Sequence, residues 1–155
     1  MKNIILISCL ALSSFTAFAQ NTWTGGTPGR ETDWLEARNW SKQRVPGWDD
    51  NVLIPHLWHN NYPVVSAAMP PIAHLEVEGG ARLSIKTGGQ LSVDGSSTSN
   101  AGILLIGKIN NSGVLSVAHT AQEAIAGNSG NLIMQNNGKF YFDEGQGVYA
   151  SRGGR

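Results

Sequence analysis

Leu75-x-Val77, Leu83-x-Ile85 and Leu91-x-Val93 follow one another at intervals of eight residues, with Gly79-Gly80 and Gly88-Gly89 between them. An apolar pair at i and i+2 is the period of a strand that buries one face. Eight residues hold one short strand and one corner, and Gly or Asn supplies the positive φ of a tight corner. The unit returns at Leu115-x-Val117, Leu132-x-Met134 and Phe140-x-Phe142. The corners Asn110-Asn111-Ser112-Gly113 and Asn136-Asn137-Gly138 precede late strands. Leu115 stands 24 residues after Leu91, the length of three units. Three strand-corner units make one coil of a three-sided parallel β-helix, with coils stacked about 4.8 Å apart. An antiparallel β-sandwich uses the same turn residues. Equal spacing of near-identical units favours the all-β solenoid.

The register has two irregular places. Ser99 and Gly107 stand where apolar residues are expected, and the apolar residues are instead Ile103-Leu104-Leu105-Ile106 and Ile109. The step from Leu115 to Leu132 is 17, one more than two units. Both read as corner insertions. Thr120-Ala121-Gln122-Glu123 fits a capping box before Ala124-Ile125-Ala126 and a stopping Gly127, which predicts a helix of at most two turns there.

The chain opens with one cation, Lys2, then runs apolar from Ile4 to Phe18 and reaches the small-x-small triplet Ala17-Phe18-Ala19. This is the pattern of a secretory signal peptide, with cleavage after Ala19 and Gln20 as the new first residue. The run is shorter than the ~20 residues of a membrane span, and no later segment is long and apolar enough for one. Cys9 sits in a loose lipobox, Leu6-Ile7-Ser8-Cys9, but too few apolar residues precede it for a lipoprotein signal. Removing residues 1–19 from the 155 leaves 136 residues and no cysteine, because Cys9 is the single Cys. A disulfide framework, a Cys-rich zinc site and a thiol nucleophile are thereby excluded. The expected location is extracellular, on the cell surface, or periplasmic. Lys+Arg and Asp+Glu number 11 each, so the chain carries no field that would recruit nucleic acid.

All five tryptophans, Trp23, Trp34, Trp40, Trp48 and Trp58, precede the repeats. Pro63, Pro70 and Pro71 mark the change of character, which divides the chain into a signal peptide (1–19), a Trp-rich cap segment (20–71) and a short solenoid body (72–155). Within the first segment Trp23-x-Gly25 is followed by Asp33-Trp34, Asn39-Trp40, Val45-Pro46, Asp50-x-Val52-x-Ile54-Pro55 and Tyr62-Pro63-Val64-Val65. This order resembles the N-terminal segment of large secreted and surface β-solenoid proteins of Gram-negative bacteria, adhesin-like and autotransporter-like, in which it caps a right-handed parallel β-helix. The resemblance implies an exported adhesin-like or architectural protein and no particular enzymatic activity. It assigns Trp23, Trp34, Trp40, Trp48, Pro46, Asp50 and Pro55 to the cap. The chain is short for that family, with room for about three coils before Ser151-Arg152-Gly153-Gly154-Arg155. It reads as a truncated product, a fragment or a small stand-alone member, and an uncapped end invites aggregation.

Large aromatic rings either roof the open end of a solenoid or offer faces to sugar rings. The cap motif favours the roof, with Trp58 and Tyr62 as exposed exceptions in the polar loop His56-Leu57-Trp58-His59-Asn60-Asn61-Tyr62; Trp58, Tyr62, His56 and His59 are the candidate ligand-binding residues of an alternative carbohydrate-binding module. A polysaccharide or a host or cell-surface protein is the expected partner; the oligomeric state is left open. His56 and His59 lack the third ligand of a catalytic zinc, and His74 and His119 read as surface or strand-end residues. Asp49-Asp50-Asn51 lacks the spaced oxygen ligands of a calcium loop and reads as a turn before a strand. No cofactor or metal is expected. Hydrolase motifs and phosphate loops are missing, and the formally available acid pairs are Asp33 with Glu36 and Asp143 with Glu144. The positions between the paired apolar residues, Glu76, Ser84, Ser92, Ser116 and Tyr141, form an outward row of mostly hydroxyls. That row lacks the acid cluster of a solenoid lyase and the Thr ladder of an ice-binding face, and a non-catalytic protein is expected.

Overall fold

The computed structural model describes residues 20–142, apart from Ser99. The signal-peptide residues Ala17 and Ala19, and Asp143 and Glu144, lie outside the described residues. The strands are β1 (Asn21–Thr22), β2 (Asn51–Ile54), β3 (Val64–Val65), β4 (His74–Val77), β5 (Arg82–Ile85) and β6 (Gln90–Asp94). They continue as β7 (Ile103–Leu105), β8 (Lys108–Asn111), β9 (Val114–Ala118), β10 (Ile125–Ala126), β11 (Asn131–Met134) and β12 (Lys139–Phe142). Every named strand pair is parallel. The strands form three sheets, β1-β2-β4-β7-β10, β3-β5-β8-β11 and β6-β9-β12. Each sheet is one side of a β-solenoid, which excludes the antiparallel sandwich.

The eight-residue unit is one side of a coil, so β4, β5 and β6 occupy successive faces. Stacking instead joins residues a whole coil apart: Leu75 with Ile103, Leu83 with Ile109 and Leu91 with Leu115. The expected single outward row is therefore three rows. Glu76 belongs to the first face, Ser84 to the second, and Ser92, Ser116 and Tyr141 align on the third. There the Ser92 and Ser116 hydroxyls lie 2.9 Å apart. The inward columns are fully buried at Val52, Leu75 and Ile103, at Leu83 and Ile109, and at Leu91 and Leu115. Each such side chain contributes about 1.5–3 kcal/mol through burial.

The irregular stretch after β6 is a corner insertion: Asp94 caps a 3-10 turn over Gly95–Ser97 by accepting from the Ser96 N–H at 3.0 Å. The helix expected over residues 120–127 does not form. Ile125–Ala126 is instead strand β10, paired with Ile103 and Leu104, and the Thr120 hydroxyl donates to the Gln122 carbonyl at 2.7 Å. A ladder over an apolar column outweighs two turns' worth of local capping signal. Of the two places expected for His74, the surface or a strand end, it takes the second: it opens β4 and is buried there, its Nδ1 2.7 Å from the Ala101 carbonyl.

Among the described residues about four coils are present where about three were expected, because stacking begins inside the Trp-rich segment. β2, β3 and the bridges from Ala68 to Gln90 and Ile72 to Val93 form the first coil. Pro63 is tolerated there because it forfeits only a donor, and its carbonyl accepts from the Ser84 N–H at 3.1 Å. The columns open toward the last described strands, where Met134, Tyr141 and Phe142 are exposed and Phe140 stacks on Phe142 at 5.6 Å.

Corners must pass close beneath the coil above. At Gly107 an added Cβ would lie 2.3 Å from the Glu78 carbonyl oxygen and 2.5 Å from that of Ala81. At Gly26 nothing lies within 4 Å. Gly107→Ala is expected to destabilise the fold by about 2–3 kcal/mol, with Gly26→Ala within about 0.5 kcal/mol of wild type. Thermal denaturation of the two variants checks this, and equal melting temperatures would contradict the stacking at that corner.

Candidate functional site

The Trp-rich segment has its own hydrogen-bonded logic. Trp23, Trp34 and Trp40 are fully buried, with Trp40 meeting Trp23 edge-on at 4.8 Å and Trp34 at 4.7 Å. Asn21 pairs with Val52, so Trp23 continues the register opposite Ile54; Asp33 pairs with Val64, so Trp34 stands opposite Val65. The three rings thus top the apolar columns. Trp23 Nε1 donates to the Asn61 carbonyl at 2.7 Å and Trp40 Nε1 to the Trp34 carbonyl at 2.8 Å.

The intervening polar motif residues hold this roof. Asn39, fully buried, accepts from the Thr27 N–H and donates to the carbonyls of Arg30 and Asp33, which uses its whole amide. Gly25 has φ +55°, and a Cβ there would lie 2.4 Å from the Asn61 oxygen and 2.7 Å from Trp23 Nε1. Pro46 is buried and Pro55 half-buried at the two ends of the Asp50–Ile54 stretch. Trp48 departs from its cap assignment: it is 71% exposed, on the turn that Asp50 closes.

Asp50 is the most deeply buried charge among the described residues of this segment. One carboxylate oxygen accepts from Lys42 Nζ at 2.8 Å and Arg44 Nη2 at 2.9 Å, and the other from the Gly47 N–H at 2.9 Å and from Arg44 Nη1. Burial opposes its ionisation, but Lys42, the Gly47 amide and Arg44 outweigh burial and hold its pKa below the ordinary Asp value. The Asp50 contacts match the turn reading of Asp49-Asp50-Asn51. Asp33 and Glu36 are equally committed, Asp33 to Arg30 and Glu36 to Arg30 and Arg38. The Arg38 hydrogen bond is the main cause that lowers the Glu36 pKa.

The loop from His56 to Tyr62 stands at the corner between the first and second faces. Trp58 is 93% exposed, and His56 and His59 are exposed beside it, with the His56 and Trp58 rings 5.8 Å apart. Tyr62 was expected to share that exposure but is buried at 6%. Its hydroxyl accepts from the Leu57 N–H at 3.1 Å and donates to the Gly80 carbonyl at 3.1 Å, which staples the loop to the coil below. His59 Nδ1 accepts from the Asn61 N–H within its own loop. Among the described residues no group of three or more His, Cys, Asp and Glu is placed to hold a metal. No described helix is long and apolar enough to cross a membrane.

Below the loop the same corner is concave. Gly80, Ala81, Arg82, Ile106, Gly107, Lys108 and Asn131 line a groove of about 240 Å³. Sequence reasoning passed over Arg82, Lys108 and Asn131. Each directly precedes an inward apolar residue, and that shared strand position was the available signal.

A carboxyl with a depressed folded pKa stabilises the fold above its unfolded value, about 3.9, and that contribution is lost as pH falls through the folded value. The melting temperature should therefore drop on acidification below about pH 4. Asp50→Asn keeps an acceptor for Gly47 but loses the charge. It should cost about 2 kcal/mol at neutral pH, less than a fully buried pair because the cations keep solvent, and flatten the acid slope. A variant with wild-type melting at both neutral and acid pH would contradict this.

A protein-family model described as a domain of unknown function (DUF8693) matches residues 22–145. No curated protein matches the chain, and no solved structure does. The matched span runs from β1 through the roof and all four coils, well over half of the sequence, and the chain belongs to the DUF8693 family.

Proposed function

We propose that the protein is an exported, non-catalytic, adhesin-like module of the bacterial cell surface that works by contact. The observation that carries this reading is Trp58, a large aromatic ring 93% exposed on a loop that Tyr62 pins to the solenoid. An exposed indole contributes nothing to the core, whereas on a fixed loop it offers a preorganised contact face. The leader pattern ending at Ala19 supports export, and the ordered Trp, Asp and Pro motif supports kinship with surface solenoids. Commitment of Asp33 and Glu36 to ion pairs speaks against that acid pair in glycoside cleavage.

A carbohydrate-binding reading is favoured by the same residue, since an indole face packs on the C–H face of a sugar ring. The two readings part at one substitution. Purified wild type and Trp58→Ala are applied to polysaccharide-coated and protein-coated surfaces, with release of sugar fragments followed in parallel. Saturable retention without fragment release is expected. On the glycan reading, Trp58→Ala weakens polysaccharide retention about tenfold, equal to ~1.4 kcal/mol, with an unchanged melting temperature. Unchanged retention would remove the glycan assignment of Trp58, and fragment release would overturn the non-catalytic reading.

A further inference from the structure

We propose that the groove below the Trp58 loop binds the anionic groups of an acidic polysaccharide through Arg82 and Lys108. Arg82, Lys108 and Asn131 are register partners at the starts of β5, β8 and β11. They therefore stand in one outward column, about 4.8 Å apart from strand to strand. Like charges directly opposite on neighbouring strands repel. Among the described residues no carboxylate pairs with either cation. The cations of the Trp-rich segment are treated differently: Arg30, Arg38, Lys42 and Arg44 all hold acidic partners. Lys86 and Lys139 also lack described partners, but neither has a cation as its register neighbour.

The surroundings turn that pair into a place for a ligand. The groove of about 240 Å³ is lined by Gly80, Ala81, Ile106, Gly107 and Asn131 beside the two cations. A guanidinium donates a forked pair of hydrogen bonds to a carboxylate or sulfate, and an ammonium one strand away donates a third. An anion placed there would also relieve the repulsion. Polymer rather than free anion is indicated by what adjoins the groove. The His56 ring lies over Gly80, where an added Cβ would approach its Cδ2 to 3.0 Å, and Trp58 stands beside His56. One corner thus carries an apolar ring face and then a charged column along the solenoid axis. An acidic chain running along that axis meets both. The inference deepens the carbohydrate reading of Trp58 and borrows from it the polymer, while the anion site stands on the cations.

The test titrates purified wild type, Arg82→Ala/Lys108→Ala, Trp58→Ala and a charge-matched Lys86→Ala/Lys139→Ala control. The probes are polygalacturonate, dextran sulfate and neutral dextran. Wild type should bind a polyanion more tightly than dextran. Arg82→Ala/Lys108→Ala should lose about tenfold or more of that affinity with no fall in melting temperature, and the control should stay close to wild type. Loss confined to polygalacturonate identifies a carboxylate site, loss confined to dextran sulfate a sulfate site, and loss of both a site for either anion. Equal affinity of the Arg82→Ala/Lys108→Ala variant, equal loss in the control, or no polyanion binding by wild type would overturn the proposal. If Trp58→Ala alone loses binding, the anion site falls and the aromatic reading stands; if the Arg82→Ala/Lys108→Ala variant alone does, the reverse holds.

Discussion

A parallel solenoid cannot close its own first coil. Each coil buries its apolar residues against the next, so the first leaves one layer of Val, Ile and Leu uncovered. Here the roof of Trp23, Trp40 and Trp34 meets that need, and most of the segment before Asn51 serves to hold it. Two edge-to-face contacts fix the rings relative to one another, and register sets Trp23 and Trp34 over particular columns. Asn39 spans three backbone groups of the surrounding loop, Gly25 lets the Asn61 carbonyl reach Trp23 Nε1, and Asp50 gathers Lys42, Arg44 and the Gly47 amide ahead of β2. Asn39 and Asp50 thus pair backbone and charged groups of the loops around the aromatic cluster, which burial would otherwise leave unpaired.

The same stacking explains why surface chemistry collects at a corner. Faces repeat with the coil, so a residue at one strand position is placed above its equivalents a coil away. Corners accept insertions because they lie outside the ladder, and the aromatic loop His56 to Tyr62 sits above the groove lined by Arg82 and Lys108. Loop and groove are joined through Gly80, which accepts the Tyr62 hydroxyl and underlies the His56 ring. A ladder below and a stapled loop above hold the corner.

The strands were legible wherever an apolar pair met a Gly or Asn corner, as at Leu75, Leu83 and Leu91, because period two is a local signal. The faces were harder to read. Eight-residue spacing put Glu76, Ser84 and Ser92 in one row, yet the row is set by separations of a whole coil. Local signals also misled at Thr120 to Gly127, where a long-range ladder to Ile103 decides the structure. Trp58 and Tyr62 share a polar aromatic loop, but Tyr62 packs into the core and its hydroxyl donates to the Gly80 carbonyl, 18 residues away. Trp48 was grouped with the cap residues but lies exposed on a turn whose buried anchor is Asp50. The cation column escaped notice because Arg82 and Lys108 are 26 residues apart and become neighbours only through register.

That the roof and the coils form one cooperative unit is tested most directly by native-state hydrogen exchange on wild type and Trp40→Ala. If the roof closes the apolar columns, removing its central ring lowers protection of the β2, β4 and β7 amides together, out to the third coil. Loss of protection confined to residues 21–72, with β4 to β9 as protected as in wild type, would contradict it.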